Sequence, residues 1–318
     1  MRAVVIHDGQ VSIRERPDPV PKAGELLVQV EAAGLNGADL MQRAGLYPPP
    51  PGFPPDIPGM ELAGVVVATG GGCSRFAVGD RVMSIVGGAA QAELALVPDE
   101  TAMAVPATLE WAEAGGFPEV FITAHDAVCT QAGLRKGERL LVTGAGGGVG
   151  LAGVQIGVLK GADVTASVHR SELLEPVASF GASAVEVSEV AAHGPYDVVL
   201  ELVGAPNLAT NLQALAMGGR IVVIGVGGGA RTEIDLLQIM GKRAVLRGST
   251  LRARSLAEKA AATRLVEDEL LGALEAGSIR VPVEATYELA DVGAAYERFA
   301  AGGKLGKIVL LGSGGGAA

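Results

Sequence analysis

Cysteine is almost missing from this chain of 318 residues: there are two, Cys73 and Cys129. Neither belongs to a CxxC pair, which excludes a four-cysteine structural zinc lobe and the disulfide framework of a secreted scaffold and makes the cytoplasm the expected compartment. Aromatic residues make up only 3%, and 25 Lys and Arg face 35 Asp and Glu for a net charge of -10. An acidic chain without a basic cluster lacks the footprint of a protein that neutralises a phosphate polymer, so no nucleic-acid partner is expected. No uncharged apolar run approaches the roughly 18 residues a membrane span needs, and the opening MRAVVIHDGQ reaches polar and acidic residues too early for a signal peptide. No membrane partner is expected either. The final GSGGGAA holds no apolar residue larger than Ala and reads as a disordered or appended end.

What the chain does have is 49% hydrophobic against 19% charged residues, the balance of a compact enzyme-like protein. Domains of roughly 100–200 residues make two the expectation. Residues 1–119 carry short apolar runs broken by Gly and Pro (AVVI, LLVQV, AGVVVAT, RVMSIV), an antiparallel β-rich pattern. PPPPGFPPDIP, residues 48–58, can be neither helix interior nor central strand and is an extended loop.

Residues 120–254 change texture to strand, Gly turn, helix, repeated, which implies about six parallel strands with crossover helices in a doubly wound sheet. Residues 255–318 open on the longest helical stretch, 255–276, capped by Ser255 and stopped at Gly277, and end on the strand-like KIVLLG. The last segment then completes the first domain, and the middle one is an insertion. The fold class expected is α/β.

The glycines concentrate in VTGAGGGVGLAGVQIG, residues 142–157. Between a buried strand (ERLLVT) and a helix (VGLAGVQIGVLKG), such a turn lets a diphosphate reach bare backbone N–H groups at a helix start. In register this is Ala145-x-Gly147-x-x-Gly150, with Ala where the turn glycine usually stands, and with Gly148 and Val149 between the last two as further cofactor-binding candidates. Gly144, Gly146 and Gly153 read as packing residues. An acidic residue that would hold the ribose 2′-OH of NAD belongs about 20 residues on. His169 and Arg170 stand there instead. Arg170 suits a 2′-phosphate or is a solvated loop residue; on the first reading NADPH is the cofactor rather than NADH.

The segments GLNGADLMQRAGLYPPPP, PGMELAGVV, VGDRV, FPEVFITAHDAV, AGLRKGERLLVTGAGGGVG and GKLGKIVL, in this order, resemble the quinone oxidoreductase (zeta-crystallin-like) branch of the medium-chain dehydrogenase/reductase superfamily. ADLMQRAGLYPPPPG and LRARS are most similar to its p53-inducible subgroup. The resemblance implies a GroES-like catalytic domain around a Rossmann domain, a cofactor cleft between the two, and a homodimer joined through the last Rossmann strand, AVLRGS. Zinc-dependent members of the superfamily ligate metal with an early Cys and a Gly-His-Glu segment. Here those places read Asn36 and Gly59-Met60-Glu61, so no zinc is expected.

The same resemblance places Asn36 and Tyr47 in the nicotinamide pocket as catalytic candidates, and Thr123, Gly225 and Val226 at the nicotinamide end. Leu251 and Arg252 come next to the cleft. Lys304, where relatives often have Asn, either reaches a cofactor phosphate or is solvated. Asp39 and Arg43, four apart, read as a local ion pair framing the site. His7, His125 and His193 read as structural. Without a Lewis acid, the activity implied is NADPH-dependent reduction of a quinone or similar conjugated carbonyl. The alternatives are an enoyl or alkenal double-bond reductase and a non-catalytic, crystallin-like NADPH-binding protein.

Overall fold

The structure is a computed structural model and describes residues 1–312; of the expected disordered end, residues 312–318, Gly312 is held by its N–H to Glu31 O and the rest lies outside the described residues. The chain divides into two compact units, Met1–Ile122 with Leu251–Ala318, and Thr123–Thr250. Among the described residues no helix is long and apolar enough to cross a membrane.

The first unit opens with the hairpin β1 (Arg2–His7) and β2 (Gln10–Glu15), followed by β3 (Glu25–Gly34), α1 (Gly37–Arg43), β4 (Glu61–Thr69), β5 (Arg81–Ile85), β6 (Leu94–Pro98), β7 (Ala102–Ala104), α2 (Trp111–Gly116) and α3 (Pro118–His125). Apolar residues at every second position put Leu26, Val28 and Val30 of β3 on one face, where they pack with Leu62, Val66, Val82, Ala95 and Val97. Each such burial is worth roughly 1.5–3 kcal/mol. The proline-rich stretch has no helix or strand. Proline has no N–H to give to a ladder, so the chain there runs as a loop.

α3 carries the chain into the second unit, which contains β8 (Arg139–Val142), α4 (Gly148–Leu159), β9 (Asp163–Val168), α5 (Leu174–Ala178), β10 (Ser183–Glu186), β11 (Tyr196–Glu201), α6 (Leu208–Ala214), β12 (Leu215–Val223), α7 (Leu236–Lys242) and β13 (Val245–Gly248). Its six strands run in the order β10-β9-β8-β11-β12-β13, and every pairing is parallel. The order reverses between β8 and β11, the switch point at which doubly wound sheets bind ligands beyond the strand carboxyl ends. α4 is apolar apart from the buried Gln155 and lies tight on the sheet. A Cβ on Gly153 would stand 2.6 Å from Leu200, and one on Gly157 2.6 Å from Leu140. At the other end of the sheet, β13 is exposed throughout and α7 has no buried residue.

The chain returns to the first unit with α8 (Leu256–Glu275), β14 (Val283–Glu288), α9 (Val292–Ala300) and β15 (Lys307–Leu311). Ser255 caps α8 in a capping box with Glu258, and Gly277 takes the left-handed conformation just beyond the helix (φ +70), as its sequence signals indicate. β15 pairs with β3, and Ile308 and Leu310 pack with Val4, Leu35 and Tyr296. The last strand thereby joins the seven-stranded sheet built on β3 and β4, which is separate from the two-stranded sheet of β1 and β2.

Candidate functional site

In the second unit the carboxyl edge of the sheet is built almost entirely from backbone. Gly144, not Ala145, is the left-handed residue of the turn after β8 (φ +58). That corrects its reading as a packing residue, because a tight turn here needs a positive φ that an alanine resists. Ala145 is buried and its N–H donates to Ser167 O on β9. Gly147 is the N-cap of α4, and Gly148 and Val149 open the helix. A Cβ on Gly150 would fall 2.6 Å from Gly144 O and 2.7 Å from Ala145 Cα, so only glycine lets α4 start this close to the turn.

Two further loops meet this turn. Leu202 N–H donates to Thr143 Oγ1 (2.9 Å), and the buried Glu201 carboxylate accepts N–H bonds from Val203 (2.6 Å) and Gly204 (2.7 Å). Gly225 packs so closely on Leu202 that a Cβ would sit 2.3 Å from its carbonyl oxygen, and Val226 follows it. His169 and Arg170 lie exposed just past β9. Thr123, on α3, is nearly buried.

The first unit has the opposite character: a knot of charged side chains inside the protein. Glu61, fully buried at the start of β4, accepts from Lys307 Nζ (2.6 Å) and Asn36 Nδ2 (2.9 Å) on one oxygen and from the Glu119 N–H (2.8 Å) on the other. Lys307, 2% exposed, also donates to Leu35 O (2.7 Å) and Asn36 Oδ1 (2.8 Å). Its ammonium has three hydrogens and all are committed. Asn36 is therefore held at both ends of its amide.

Asp39 turns inward from α1 and accepts the N–H groups of Asn36 (2.8 Å) and Gly59 (3.1 Å). Arg43 instead lies over the Tyr296 ring, 5.4 Å from its centroid. The expected Asp39–Arg43 pair is replaced by a helix cap, since a buried carboxylate gains more from two backbone donors than from a solvated partner.

Arg252 is buried at the turn after Leu251, itself buried. Its guanidinium donates to Gly87 O (2.9 Å), Tyr47 O (3.0 Å) and Gln42 Oε1 (2.6 Å) and lies 5.1 Å from the centre of the Tyr47 ring. The proline-rich loop is thus clamped to α1 and to the end of β5 by one cation. Lys304 stays apart from this group. It donates to Gly306 O (2.9 Å) and lies 4.5 Å from the Phe299 ring centre.

Burial moves the ionisation of several groups. Desolvation pushes Asp39 up to about 6, against the pull of its backbone donors and Lys307. Glu119, in the first turn of α3 and only partly accessible, is pushed up to about 8 by desolvation and then by the Glu61 charge. Tyr47 is raised, again by desolvation first and Glu119 second. Arg252 and Lys259 are lowered by desolvation, and Lys304 falls to about 8 from desolvation and the nearby Lys307.

The donors present do not suit a zinc ion. Asn36 and Met60 replace Cys and His, and the one carboxylate beside them already binds an ammonium that would repel a cation. Among the described residues no three His, Cys, Asp or Glu side chains gather as a metal-holding group. A dinucleotide does suit the second unit. α4 begins with no side-chain cap on Gly147 and no acidic residue in its first turn, leaving its first N–H groups to an anion. A Cβ at Gly147 would meet only Gly144 O, at 3.5 Å, so glycine there keeps space open rather than serving packing.

Sequence reasoning passed over Lys307, Glu119 and Gln42. A signal was present for one pair: Glu61 and Lys307 each stand as a lone charge at the head of an apolar strand, ELAGVVVAT and KIVLL. A charge so placed needs a buried partner.

Two family descriptions match the chain: "Alcohol dehydrogenase GroES-like domain" over residues 22–136 and "Zinc-binding dehydrogenase" over residues 175–310. Human quinone oxidoreductase is 32% identical over 330 residues, covering 98% of this chain and 98% of that protein. An alcohol dehydrogenase superfamily protein from Novosphingobium aromaticivorans superposes with a TM-score of 0.86 at 30% identity, covering 98% of this chain and 99% of that one. A mycobacterial protein solved in complex with NADPH also superposes with a TM-score of 0.86, at 27% identity over 98% of this chain and 99% of its own.

Proposed function

Because the chain belongs to the medium-chain dehydrogenase/reductase superfamily, in its quinone oxidoreductase branch, and is an oxidoreductase by that membership, we propose that it reduces quinones with NADPH and without metal. The observation that carries this reading is the uncapped, acid-free start of α4 at the switch point of a parallel sheet. The N–H groups of Gly148, Val149 and Gly150 receive the diphosphate there, and Arg170 pairs with the 2′-phosphate. The nicotinamide supplies a hydride when bound. Thr123, Gly225 and Val226 would hold the nicotinamide end.

In the first unit Tyr47 presents its hydroxyl to the acceptor, and Arg252 holds the loop that carries it. Asn36, with both ends of its amide engaged, orders the loop before α1. With the Lys307 ammonium on one oxygen of Glu61 and the Glu119 N–H on the other, this carboxylate is a poor ligand for a Lewis acid that would draw electrons from an alcohol. An acceptor that is already electron-poor suits the site best.

Calorimetry should show NADPH binding, and NADPH consumption should accelerate with a small benzoquinone and be indifferent to EDTA. Activity lost to EDTA and restored by zinc would overturn the metal-free reading. A better kcat/KM for an enone than for a quinone of equal size would move the assignment to double-bond reduction.

The exposed edge strand β13 and the apolar face of α7 (Leu237 75% and Met240 70% exposed) are proposed to meet a second copy of this chain about a two-fold axis. Sedimentation should give a dimer for the wild type and a monomer for Leu237→Asp.

A further inference from the structure

Glu201, the last residue of β11, carries a carboxylate that the assignments above leave without a task. It is fully buried at the carboxyl edge of the inserted sheet, against α6, whose Leu208 and Leu212 pack into an apolar core with Tyr196 and Val199. An apolar side chain would suit such a place, and a carboxylate there gives up its hydration. Hydrogen bonds replace it. Oε1 accepts from Val203 N–H (2.6 Å), Gly204 N–H (2.7 Å) and the Asn207 amide (3.4 Å), and Oε2 accepts from the Asn211 amide (2.5 Å). Bonds to an ionised acceptor are roughly twice as strong as those between neutral groups.

The backbone of the same residue serves a second loop. Glu201 O accepts the N–H groups of Ile224 (2.9 Å) and Gly225 (3.2 Å), just past β12. From there the two loops are laced together: Gly228 N–H donates to Val203 O (2.8 Å) and Ala205 N–H to Gly229 O (2.9 Å). Gly204 has a positive φ (+103), and a Cβ on it would stand 2.5 Å from Gly229 O and 2.9 Å from Val226 Cα. The place of Gly225 and Val226 is therefore set by a loop whose own shape one carboxylate sets.

This edge of the sheet holds two sets of backbone N–H groups with different fates. Those that open α4 meet no side-chain cap from Gly147 and face outward to an anion. Those of Val203 and Gly204 are taken by an anion built into the chain. The first set is left to bind, and the second is spent on order.

We propose that Glu201 is the positioning residue for the nicotinamide end of the cofactor: its carboxylate fixes the loop after β11, and that loop fixes Gly225 and Val226 after β12. This rests on the NADPH reading. Every residue in the network belongs to the second unit. The adenosine end, assigned to the start of α4 and to Arg170, depends on none of these bonds.

The test uses that division. Glu201→Leu removes every side-chain acceptor at similar volume, and Glu201→Gln keeps the shape and one carbonyl acceptor without the charge. Titration calorimetry compares NADPH with adenosine 2′,5′-bisphosphate, which has the 2′-phosphate and one other phosphate but no nicotinamide. NADPH affinity should fall about 10–100-fold in Glu201→Leu, where two N–H groups lose their acceptor, and by less in Glu201→Gln. The bisphosphate should bind both variants within about twofold of the wild type. In the ligand-free proteins, hydrogen exchange at Val203, Gly204 and Gly228 should quicken by about 10-fold in Glu201→Leu, while the amides of β8 and β9 keep their protection.

A folded variant that loses both ligands equally would overturn the proposal, because Glu201 would then support the unit as a whole. So would a leucine variant that binds NADPH like the wild type. If Glu201→Leu does not fold, Glu201→Gln carries the same comparison of the two ligands. A wild type that binds neither ligand removes the NADPH reading and this proposal together. A wild type that binds both, beside indifferent variants, removes this proposal alone.

Discussion

The two units prepare for chemistry by opposite means. The second does it by leaving side chains out: the turn before α4 and the loops at Leu202 and Gly225 approach one another at distances a Cβ forbids, and what remains on offer is backbone N–H. The first does it by burying charge: Glu61, Lys307 and Asp39 sit where water is scarce, each satisfied by a named partner. The lesson is where each region is vulnerable. Bare backbone is damaged by adding an atom, and a buried ion pair by removing one.

The largest effect should come from taking half of the pair. Lys307→Met leaves Glu61 buried and unpaired and should lower unfolding free energy by about 3–5 kcal/mol, read by urea denaturation. Adding Glu61→Gln should restore much of it. A neutral Lys307→Met would break the comparison, since the charges would then be ornaments of the fold.

The complementary change adds one methyl. Gly147→Ala has room in the protein itself but intrudes where an anion would approach α4, so stability should hold while NADPH affinity drops roughly 10–100-fold. If calorimetry finds affinity intact, the open space at Gly147 does not serve a ligand. A finer cut is Arg170→Ala, expected to weaken NADPH by about 10-fold and NADH hardly at all. Equal losses for both would detach Arg170 from the 2′-phosphate.

The smallest effect is a slope. Asp39 and Glu119 are held above the usual carboxylate range, so the folded chain keeps their protons at pH values where the unfolded chain has given them up. The stability they contribute is complete below pH of about 4 and is lost as pH rises through about 6 for Asp39 and about 8 for Glu119. Glu119→Gln should therefore lose less stability than the wild type between pH 6 and 8 in thermal melts. Parallel curves would place Glu119 in ordinary solvent.

Some of this was readable in advance. Ser255 and Gly277 marked both ends of α8 because capping and left-handed stops are local events, settled by residues a turn apart. The alternation of apolar strands with helices announced a parallel sheet, because only strands buried on both faces run so continuously apolar. The turn at residue 144 was misplaced by one position, since a glycine string does not say which member takes the positive φ. Asp39 was assigned to Arg43 because four-residue spacing is visible in a sequence and the backbone of Gly59 is not.

The sequence by itself determined the secondary elements, the parallel class of the inserted sheet and the bare turn ahead of α4. These follow from periodicity and from residues whose backbone freedom is intrinsic. Only the tertiary structure decided that Lys307 closes on Glu61 across 246 positions and that Arg252 reaches Gln42 across 210. The reason is physical: a buried charge chooses its partner by distance in a low-dielectric interior, and that distance exists only after β15 has paired with β3 and the chain has come back to where it began.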